Sequence, residues 1–218
     1  MRVAVAGAAG KMGLATCEAV EGADDLELVA RVDPALGVNL ADVLSEVDVV
    51  VDFTRPDVAV DNINACMAAG VHAVVGTSGF DISKVKPANG AKVLFCPNFA
   101  IGAVLMMKFA AEASKHMPKV EIIELHHDAK LDAPSGTAKR TVDMIREASG
   151  KVVQGVHSVR LPGIIANQEV IFGELGQTLT IRHDTTDRKS FMPGVLLAVR
   201  KVAAMDQDVV VGLEHVLD

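Results

Sequence analysis

The first hundred residues alternate short apolar runs with amphipathic segments. Lys11–Val20 and Asp57–Ala69 carry apolar residues at helical spacing, and Gly70 ends the second segment. Apolar runs rich in Val predict five strands, at Arg2–Ala6, Leu26–Val32, Asp48–Phe53, His72–Val75 and Val93–Cys96. Because strands that alternate with helices are typical of βαβ units, this half of the chain predicts a doubly wound, mostly parallel sheet.

The pattern changes after about residue 100. Helical spacing predicts helices at Gly102–His116 and Thr137–Ala148, and an alternating run predicts a strand at Val120–His127. Two longer β runs follow at Val152–Leu161 and Asn167–Asp184, and residues 174–177 break the second run with a hairpin signal. These residues therefore predict a smaller α+β domain with a mixed or antiparallel open sheet.

The last segment resumes the pattern of the first half, with a helix at Pro193–Met205 and a short β run at Val209–Val211. The predicted fold is thus α/β. A Rossmann-type doubly wound parallel sheet occupies residues 1–99, and a smaller α+β domain with a mixed open sheet occupies residues 100–187. Residues 188–218 return to the first domain.

Composition and charge argue against several classes of protein. The 218 residues allow one large or two small domains, and the net charge of −7 argues against a nucleic-acid-binding protein. No apolar run reaches the roughly 18–20 residues of a membrane span. Because Met1 leads straight into the first strand without a signal-peptide pattern, we expect a cytoplasmic protein with no membrane partner. Three distant cysteines, Cys17, Cys66 and Cys96, predict reduced, buried thiols rather than disulfides or a zinc site.

A glycine loop, Gly7–Gly13, lies between the first strand and the first helix. Gly10 and Gly13 match the last two glycines of the G-x-G-x-x-G pattern, while Ala8 occupies the first position. Asp33 ends the second strand, where a carboxylate accepts hydrogen bonds from the adenosine ribose. Dinucleotide binding is the favoured interpretation. A turn without a ligand, and a turn-forming Asp-Pro at residue 33, are the alternatives.

The acidic Asp33 favours NADH, because the 2′-phosphate of NADPH would meet its negative charge. Lys11, Arg31 and the loop backbone could offset that charge, so the cofactor prediction is NADH, NADPH or both. Ligands of open α/β sheets bind beyond the carboxyl ends of strands. Two further loops, 76–78 and 96–99, are therefore either cofactor-binding segments or ordinary loops.

Residues 124–138 contain most of the candidate catalytic and substrate-binding side chains. His126 exchanges a proton near neutral pH, and Lys130 lies four residues further on. A helix that begins near Gly136 and Thr137 offers backbone N–H groups to a carboxylate, and Lys139 and Arg140 add positive charge. The combination favours a small anionic substrate.

Other interpretations of this segment remain open. Adjacent histidines are often structural or surface residues. A metal site would need a third ligand, such as His183 or Asp128, and we expect no metal. A Ser135 nucleophile is disfavoured, because no G-x-S-x-G elbow surrounds it.

The segment Glu124–Ala138 fills every fixed position of the pattern E-x-H-H-x-x-K-x-D-A-P-S-G-T-A. With the glycine loop, it resembles the 4-hydroxy-tetrahydrodipicolinate reductase (dihydrodipicolinate reductase) family. The resemblance extends over nearly the whole chain through residues 51–54, 76–78, 97–102 and 172–173.

The resemblance implies an NAD(P)H-dependent oxidoreductase of the diaminopimelate route of lysine biosynthesis. It would reduce a small cyclic dicarboxylate, in a cleft between a dinucleotide-binding domain and a substrate-binding, oligomerisation domain of a homotetramer. The residues that match the family's catalytic positions are His126 and Lys130, and those that match its substrate-binding positions are His127, Ser135, Gly136 and Thr137. The matching cofactor-binding residues are Gly7, Ala8, Ala9, Gly10, Lys11, Met12, Asp33, Gly76, Thr77, Ser78, Cys96, Pro97, Asn98 and Phe99.

Three positions depart from the family pattern. Ser78 stands where a second Thr is usual, Cys96 stands where Ala is common, and residues 150–156 form a shorter loop. Two other classes fit parts of the sequence. An oxidoreductase acting on an amino-acid semialdehyde would share the fold but lack the doubled histidine. A dinucleotide-sensing binding protein would need no proton donor.

Overall fold

A computed structural model describes residues 1–217. The chain forms two compact units. The first comprises Met1–Phe99 together with residues 191–217, and the second comprises Ala100–Ser190. The structure thus places the second boundary after Ser190, where the sequence prediction set it after residue 187.

The first unit contains a six-stranded sheet in which every pairing is parallel. Its strands are β1 (Arg2–Ala6), β2 (Glu27–Val32), β3 (Val49–Asp52), β4 (His72–Val75), β5 (Val93–Phe95) and β10 (Val209–Val211). The order across the sheet is β10-β5-β4-β3-β1-β2. Val-rich central strands are fully buried because helices cover both faces of such a sheet.

Three helices accompany this sheet: α1 (Lys11–Glu21), α2 (Pro56–Ala69) and α5 (Met192–Lys201). Pro56 occupies the first turn of α2, where a missing N–H costs nothing, and Gly70 ends the helix with φ of 73°. β1 lies between β2 and β3, so the strand order reverses at β1. Ligands of this fold class bind beyond the carboxyl ends of the strands at that switch point.

The second unit contains a four-stranded mixed sheet in the order β7-β6-β8-β9. Its strands are β6 (Lys119–His126), β7 (Gly155–Arg160), β8 (Ala166–Glu174) and β9 (Gln177–Thr185), and its helices are α3 (Ile101–Ser114) and α4 (Gly136–Ser149). β6 pairs in parallel with β7 and antiparallel with β8, and β8 pairs antiparallel with β9. Burial alternates along β6, so one face of this strand is covered.

The predicted fold class is confirmed, with two local differences. The β run predicted from Val152 begins only at Gly155, and the Val152 side chain is 74% exposed. Lys151 donates hydrogen bonds to the carbonyls of Ser114 and Met117. These bonds hold the residues before β7 against the end of α3. The last helix ends at Lys201 and continues as a short 3-10 turn, Val202–Ala204.

All three cysteines are buried, and none forms a disulfide. Burial raises the pKa of Cys66 to about 12, so this side chain stays a thiol at neutral pH. Across residues 1–217, no helix combines the length and the apolar character that crossing a bilayer would require.

Candidate active site

The glycine loop turns at Gly7, which has φ of 79° and whose N–H donates to the Val32 carbonyl at 2.9 Å. A Cβ at Gly7 would overlap the Phe53 carbonyl oxygen, and a Cβ at Gly13 would overlap the Gly7 carbonyl oxygen. These two glycines are therefore required by close backbone packing. Gly7 thus makes the tight turn that the G-x-G-x-x-G pattern assigns one residue later, at the position of Ala8.

Gly10 is the N-cap of α1, and no side chain caps this helix. The N–H groups of a first helical turn have no partner within the helix, and they attract anions. Ala9, Gly10 and Lys11 are exposed. An accessible helix N-terminus behind a tight glycine turn fits the pyrophosphate of a dinucleotide.

Asp33 lies at the end of β2 and is bound directly to the glycine loop. One carboxylate oxygen accepts from the Ala9 N–H at 3.1 Å, and the other accepts from the Ala35 N–H at 2.9 Å. Each oxygen keeps a further lone pair, which a ribose hydroxyl could use. The structure thus brings together Gly7–Met12 and Asp33, as a cofactor site requires. Arg31 is paired with Glu21 at 2.8 Å.

A buried carboxylate organises the next strand end. Asp52 is 2% exposed, and the Thr54 N–H donates to its Oδ1 at 2.9 Å. The hydroxyls of Thr54 and Thr77 each donate to the same oxygen at 2.7 Å, and the Asn62 amide donates to Oδ2 at 2.9 Å. All these donors are neutral. Asp52 therefore fixes the predicted cofactor residue Thr77 against the end of β3.

Phe53 links three of the predicted cofactor loops. Its carbonyl lies against Gly7, and its ring lies where a Cβ on Gly76 would be. The same ring packs edge-on against Phe99, with centroids 5.7 Å apart. Glycine at residue 76 is therefore needed to accommodate an aromatic side chain.

The other predicted cofactor residues differ in accessibility. Ser78 and Pro97 are exposed, Asn98 is half-buried and Phe99 is buried. The Cys96 side chain is 1% exposed, and its N–H donates to the Val75 carbonyl. A contact from Cys96 to a cofactor would therefore have to come from its carbonyl.

In the second unit, β6 ends at His126, and a loop leads from there to α4. The His126 ring bonds through Nδ1 to Glu124 at 2.6 Å, and Lys130 Nζ pairs with Asp132 at 2.7 Å. His126 and Lys130 are each mostly buried, with side chains 13% and 22% exposed. His127 is half-buried. The two predicted catalytic side chains thus each have a carboxylate partner close by in sequence.

Ser135 caps α4. Its hydroxyl accepts from the Ala138 N–H at 3.2 Å, and its own N–H donates to Glu124 at 3.3 Å. The Ser135 side chain is buried and holds the helix start. Gly136 follows it, exposed, with open space where a Cβ would lie. The accessible part of the helix N-terminus is therefore at Gly136, next to the half-buried Thr137.

Two pKa values in this cluster are shifted. Burial raises the pKa of Glu124, but hydrogen bonds from Arg160, Ser158 and His126 outweigh it, and the net pKa is lowered. Burial lowers the pKa of His126, and the bond to Glu124 opposes that effect only in part. At neutral pH the pair is therefore an ionised carboxylate and a neutral imidazole.

The alternative metal site has no geometric support. Within residues 1–217, no group of three or more His, Cys, Asp or Glu side chains is arranged to hold a metal ion. His183 lies on β9 with its ring against Gly102 of α3, 2.7 Å from where a Cβ would be.

Sequence reasoning missed three residues of these clusters as site residues: Phe53, Asp52 and Arg160. A carboxylate at the end of an otherwise apolar strand, VVVD, was the available signal for Asp52. Arg160 gave no local signal, because it reaches Glu124 only through the pairing of β6 with β7. Glu124 is the first residue of the motif, but the motif alone indicates no role for it.

The chain matches two family models. Residues 1–99 match the model described as Dihydrodipicolinate reductase, N-terminus, and residues 102–217 match the model described as Dihydrodipicolinate reductase, C-terminus. Together the two matches account for nearly the whole chain.

Curated relatives named 4-hydroxy-tetrahydrodipicolinate reductase align over the full chain. The protein of Mycolicibacterium smegmatis is 50% identical over 245 residues, and that of Nocardia farcinica is 47% identical over 251 residues. Each alignment covers 100% of this chain and 99% of the relative. A solved structure, the dipicolinate-bound dihydrodipicolinate reductase from Paenisporosarcina sp. TG-14, is similar with a TM-score of 0.88 and 36% identity. That alignment covers 100% of this chain and 99% of the other.

Proposed function

The chain belongs to the dihydrodipicolinate reductase family, and we propose from this premise that it is an NAD(P)H-dependent 4-hydroxy-tetrahydrodipicolinate reductase. The reaction removes water from the substrate and reduces the resulting double bond to give tetrahydrodipicolinate. The observation that carries the proposal is that Glu124 bonds both the His126 ring and the backbone N–H of Ser135 at the start of α4, with Lys130 in the loop between them. This assigns the chain to lysine biosynthesis through diaminopimelate.

Reduction of the double bond needs a hydride and a proton. When bound, the reduced nicotinamide supplies the hydride and leaves as the oxidised cofactor. His126 or Lys130 supplies the proton to the neighbouring atom of the substrate, which completes the saturated bond. The Lys130 ammonium also stabilises the negative charge that develops there.

The substrate is a cyclic dicarboxylate. We assign one carboxylate to the first turn of α4, where Gly136 is exposed and Thr137 follows it. Backbone N–H groups at a helix N-terminus hold a carboxylate without a dedicated cation. His127 is assigned to substrate contact, and Ser135 acts through its cap on the helix start.

We propose that the cofactor is bound at the glycine loop and Asp33, with a preference for NADH. The Asp33 carboxylate disfavours a 2′-phosphate, and Arg31, which could offset it, is paired with Glu21. Lys11 remains the cation that would support NADPH. Titration of the protein with each reduced cofactor, followed by fluorescence, measures the two Kd values and decides the preference.

We further propose that the enzyme works in the cytoplasm as a homotetramer. The second unit presents an open sheet, and β9 is exposed along most of its length. Light scattering coupled to size-exclusion chromatography would give about four times the 22.9 kDa of the chain. A mass of one chain would refute the tetramer.

The function is tested by following NAD(P)H absorbance near 340 nm. Cofactor consumption is expected only with the condensation product of pyruvate and aspartate semialdehyde. Consumption with aspartate semialdehyde alone would favour the semialdehyde oxidoreductase. Tight cofactor binding without turnover on either compound would favour a dinucleotide sensor.

A further inference from the structure

Glu124 is a fully buried carboxylate in the middle of a cluster of donors. It is 0% exposed. Arg160 binds it through its two terminal guanidinium nitrogens, at 2.8 Å to Oε1 and 2.9 Å to Oε2. The His126 Nδ1 approaches Oε2 at 2.6 Å, and the Ser135 N–H donates to Oε1 at 3.3 Å. One carboxylate thus joins β6, β7, the catalytic histidine and the start of α4.

Stability alone does not account for this arrangement. Removing two charges from water costs more than their attraction returns unless the geometry is excellent, and apolar residues of similar volume often serve as well. Ile122, two residues earlier on the same covered face of β6, is such an apolar residue and is also 0% exposed. A charged side chain at residue 124 therefore indicates a role that an apolar side chain could not fill.

We propose that Glu124, held by Arg160, is the positioning residue that fixes the tautomer of His126. An ionised carboxylate only accepts hydrogen bonds, so Nδ1 must carry the proton of the neutral ring. This leaves Nε2 as the ring atom that exchanges a proton with the substrate. The inference rests on the proposed function and deepens it, since it names the atom through which His126 acts.

The proton balance follows from this assignment. His126 takes up a proton at Nε2 when the dianionic substrate binds, and the Nε2–H bond breaks as the proton is transferred to the substrate. Glu124 stays ionised throughout and stabilises the imidazolium that exists between these steps. Arg160 maintains the ionised state of Glu124 because its guanidinium binds both oxygens.

The charged side chains that act on the His126 ring lie on its own strand, in the following loop and on β7. Glu124 on its own strand favours the imidazolium, while Lys130 in the following loop and Arg160 on β7 disfavour it. The residue opposite His126 on β8 is the uncharged Ala166. Binding of two substrate carboxylates is therefore the change that shifts the ring toward its protonated form.

The first test uses the wild-type protein. ¹⁵N chemical shifts of the seven histidine rings report which nitrogen carries the proton, and the His126 signals are those lost in His126→Gln. A protonated Nδ1 and an unprotonated Nε2 at pH 7.5 are expected. A proton on Nε2 would overturn the proposal, whatever the enzyme's activity.

The second test removes the carboxylate with Glu124→Gln. The pKa of the His126 ring should fall, and kcat should drop about 10- to 100-fold, as for other residues that orient a catalytic ligand. KM for the dicarboxylate and Kd for NADH should stay unchanged. Glu124→Asp should restore part of kcat and the Nδ1–H tautomer.

A matched control lies on the same strand. Glu121 pairs with His157 Nε2 at 2.8 Å, with both side chains about half exposed. Glu121→Gln should leave kcat and the His126 shifts unchanged. If Glu124→Gln folds and keeps the wild-type tautomer and ring pKa of His126, the positioning inference fails. The proposed function fails separately, if wild-type protein does not reduce the substrate.

Discussion

Two buried carboxylates end strands in the two units, and they are held in different ways. Asp52 at the end of β3 accepts only from neutral groups: one backbone N–H, two hydroxyls and an amide. Glu124 near the end of β6 accepts from a guanidinium and an imidazole as well as from one backbone N–H. Neutral donors fix the geometry of neighbouring loops. Charged and titratable donors couple the carboxylate to the proton chemistry of their own side chains.

The same contrast applies to the surroundings of each carboxylate. In the first unit the candidate cofactor site is made of backbone: a glycine turn, a helix N-terminus and a carboxylate bound to loop N–H groups. In the second unit, charged side chains cluster around His126. The first site should therefore be sensitive to added volume, and the second to removed charge.

The largest effect is expected from removing a proton donor in the second unit. His126→Gln and Lys130→Ala should each lower kcat by about 10²–10⁴, the usual contribution of general acid catalysis. Kd for NADH should barely change. Steady-state assays and cofactor titrations measure both quantities. The control is His116→Gln, since the His116 side chain is 75% exposed. Near-normal turnover in both active-site variants would refute the proton-donor assignment.

Breaking the buried Glu124–Arg160 pair should have the largest effect on the stability of the fold. Glu124→Gln leaves Arg160 without its carboxylate and should destabilise the fold by about 3–5 kcal/mol in chemical denaturation. Asp25 and Arg200 form an equally short two-bond pair, at 2.7 Å, on the surface. Asp25→Asn should therefore leave the unfolding midpoint almost unchanged. Equal losses in both variants would show that burial does not set the value of such a pair.

Glu124 and His126 together give the stability a pH dependence. Folding lowers the pKa of both Glu124 and His126, from ordinary values of 4.5 and 6.5. The stabilisation is complete above those ordinary values and is lost as the pH falls through the lowered ones. Denaturation from pH 8 to pH 4 should show stability falling below about pH 6.5. The decline should be shallower in His126→Gln, and an unchanged slope would contradict the shift.

Added volume tests the first unit. Gly13→Ala places a methyl group into the Gly7 carbonyl and should destabilise the fold by roughly 3 kcal/mol, the upper part of the range for overpacking. NADH affinity should fall as well, because the loop must shift. Gly173 on β8 has nothing near the position of a Cβ, so Gly173→Ala serves as the control. Calorimetry and cofactor titration of the two variants give the comparison.

Asp52→Asn replaces one of the two accepting carboxylate oxygens by an NH2 group, which donates hydrogen bonds. At least one of the four donors would then face an N–H, and about 1–3 kcal/mol of stability should be lost. Asp61 lies on α2 beside Asn62 and is exposed, so Asp61→Asn should have little effect. Urea denaturation of the two variants measures the difference in their free energies of unfolding. A loss confined to NADH binding, with normal stability, would mean that the cluster orders only the Thr77 loop.

The smallest effect is expected at Asp33. Asp33→Ala should weaken NADH binding by about tenfold, the lower value for one hydrogen bond to a charged group, and should weaken NADPH binding less. Titration with each cofactor measures the difference. Equal losses for both cofactors would remove the ribose role.

Local signals explain how much of the molecule could be predicted from the sequence. The turn at Gly7, Asp33 at the end of β2 and the hairpin that closes with Gly176 each depend on neighbouring residues, and the structure contains all three. The partner of Glu124 could not be predicted, because Arg160 is 36 residues away and meets it only through the register of β6 and β7. Phe53 was missed for the same reason, since its contacts come from three separate loops.

The sixth strand of the first sheet follows the whole second unit along the chain. β10 pairs with β5, where Val93 donates to the Asp208 carbonyl and the Gly212 N–H donates to the Phe95 carbonyl. During synthesis the ribosome therefore completes the whole second unit while β5 still presents an open edge. Such edges invite pairing with other chains. A chaperone that shields β5 until residue 212 has emerged would protect the newly made protein from aggregation.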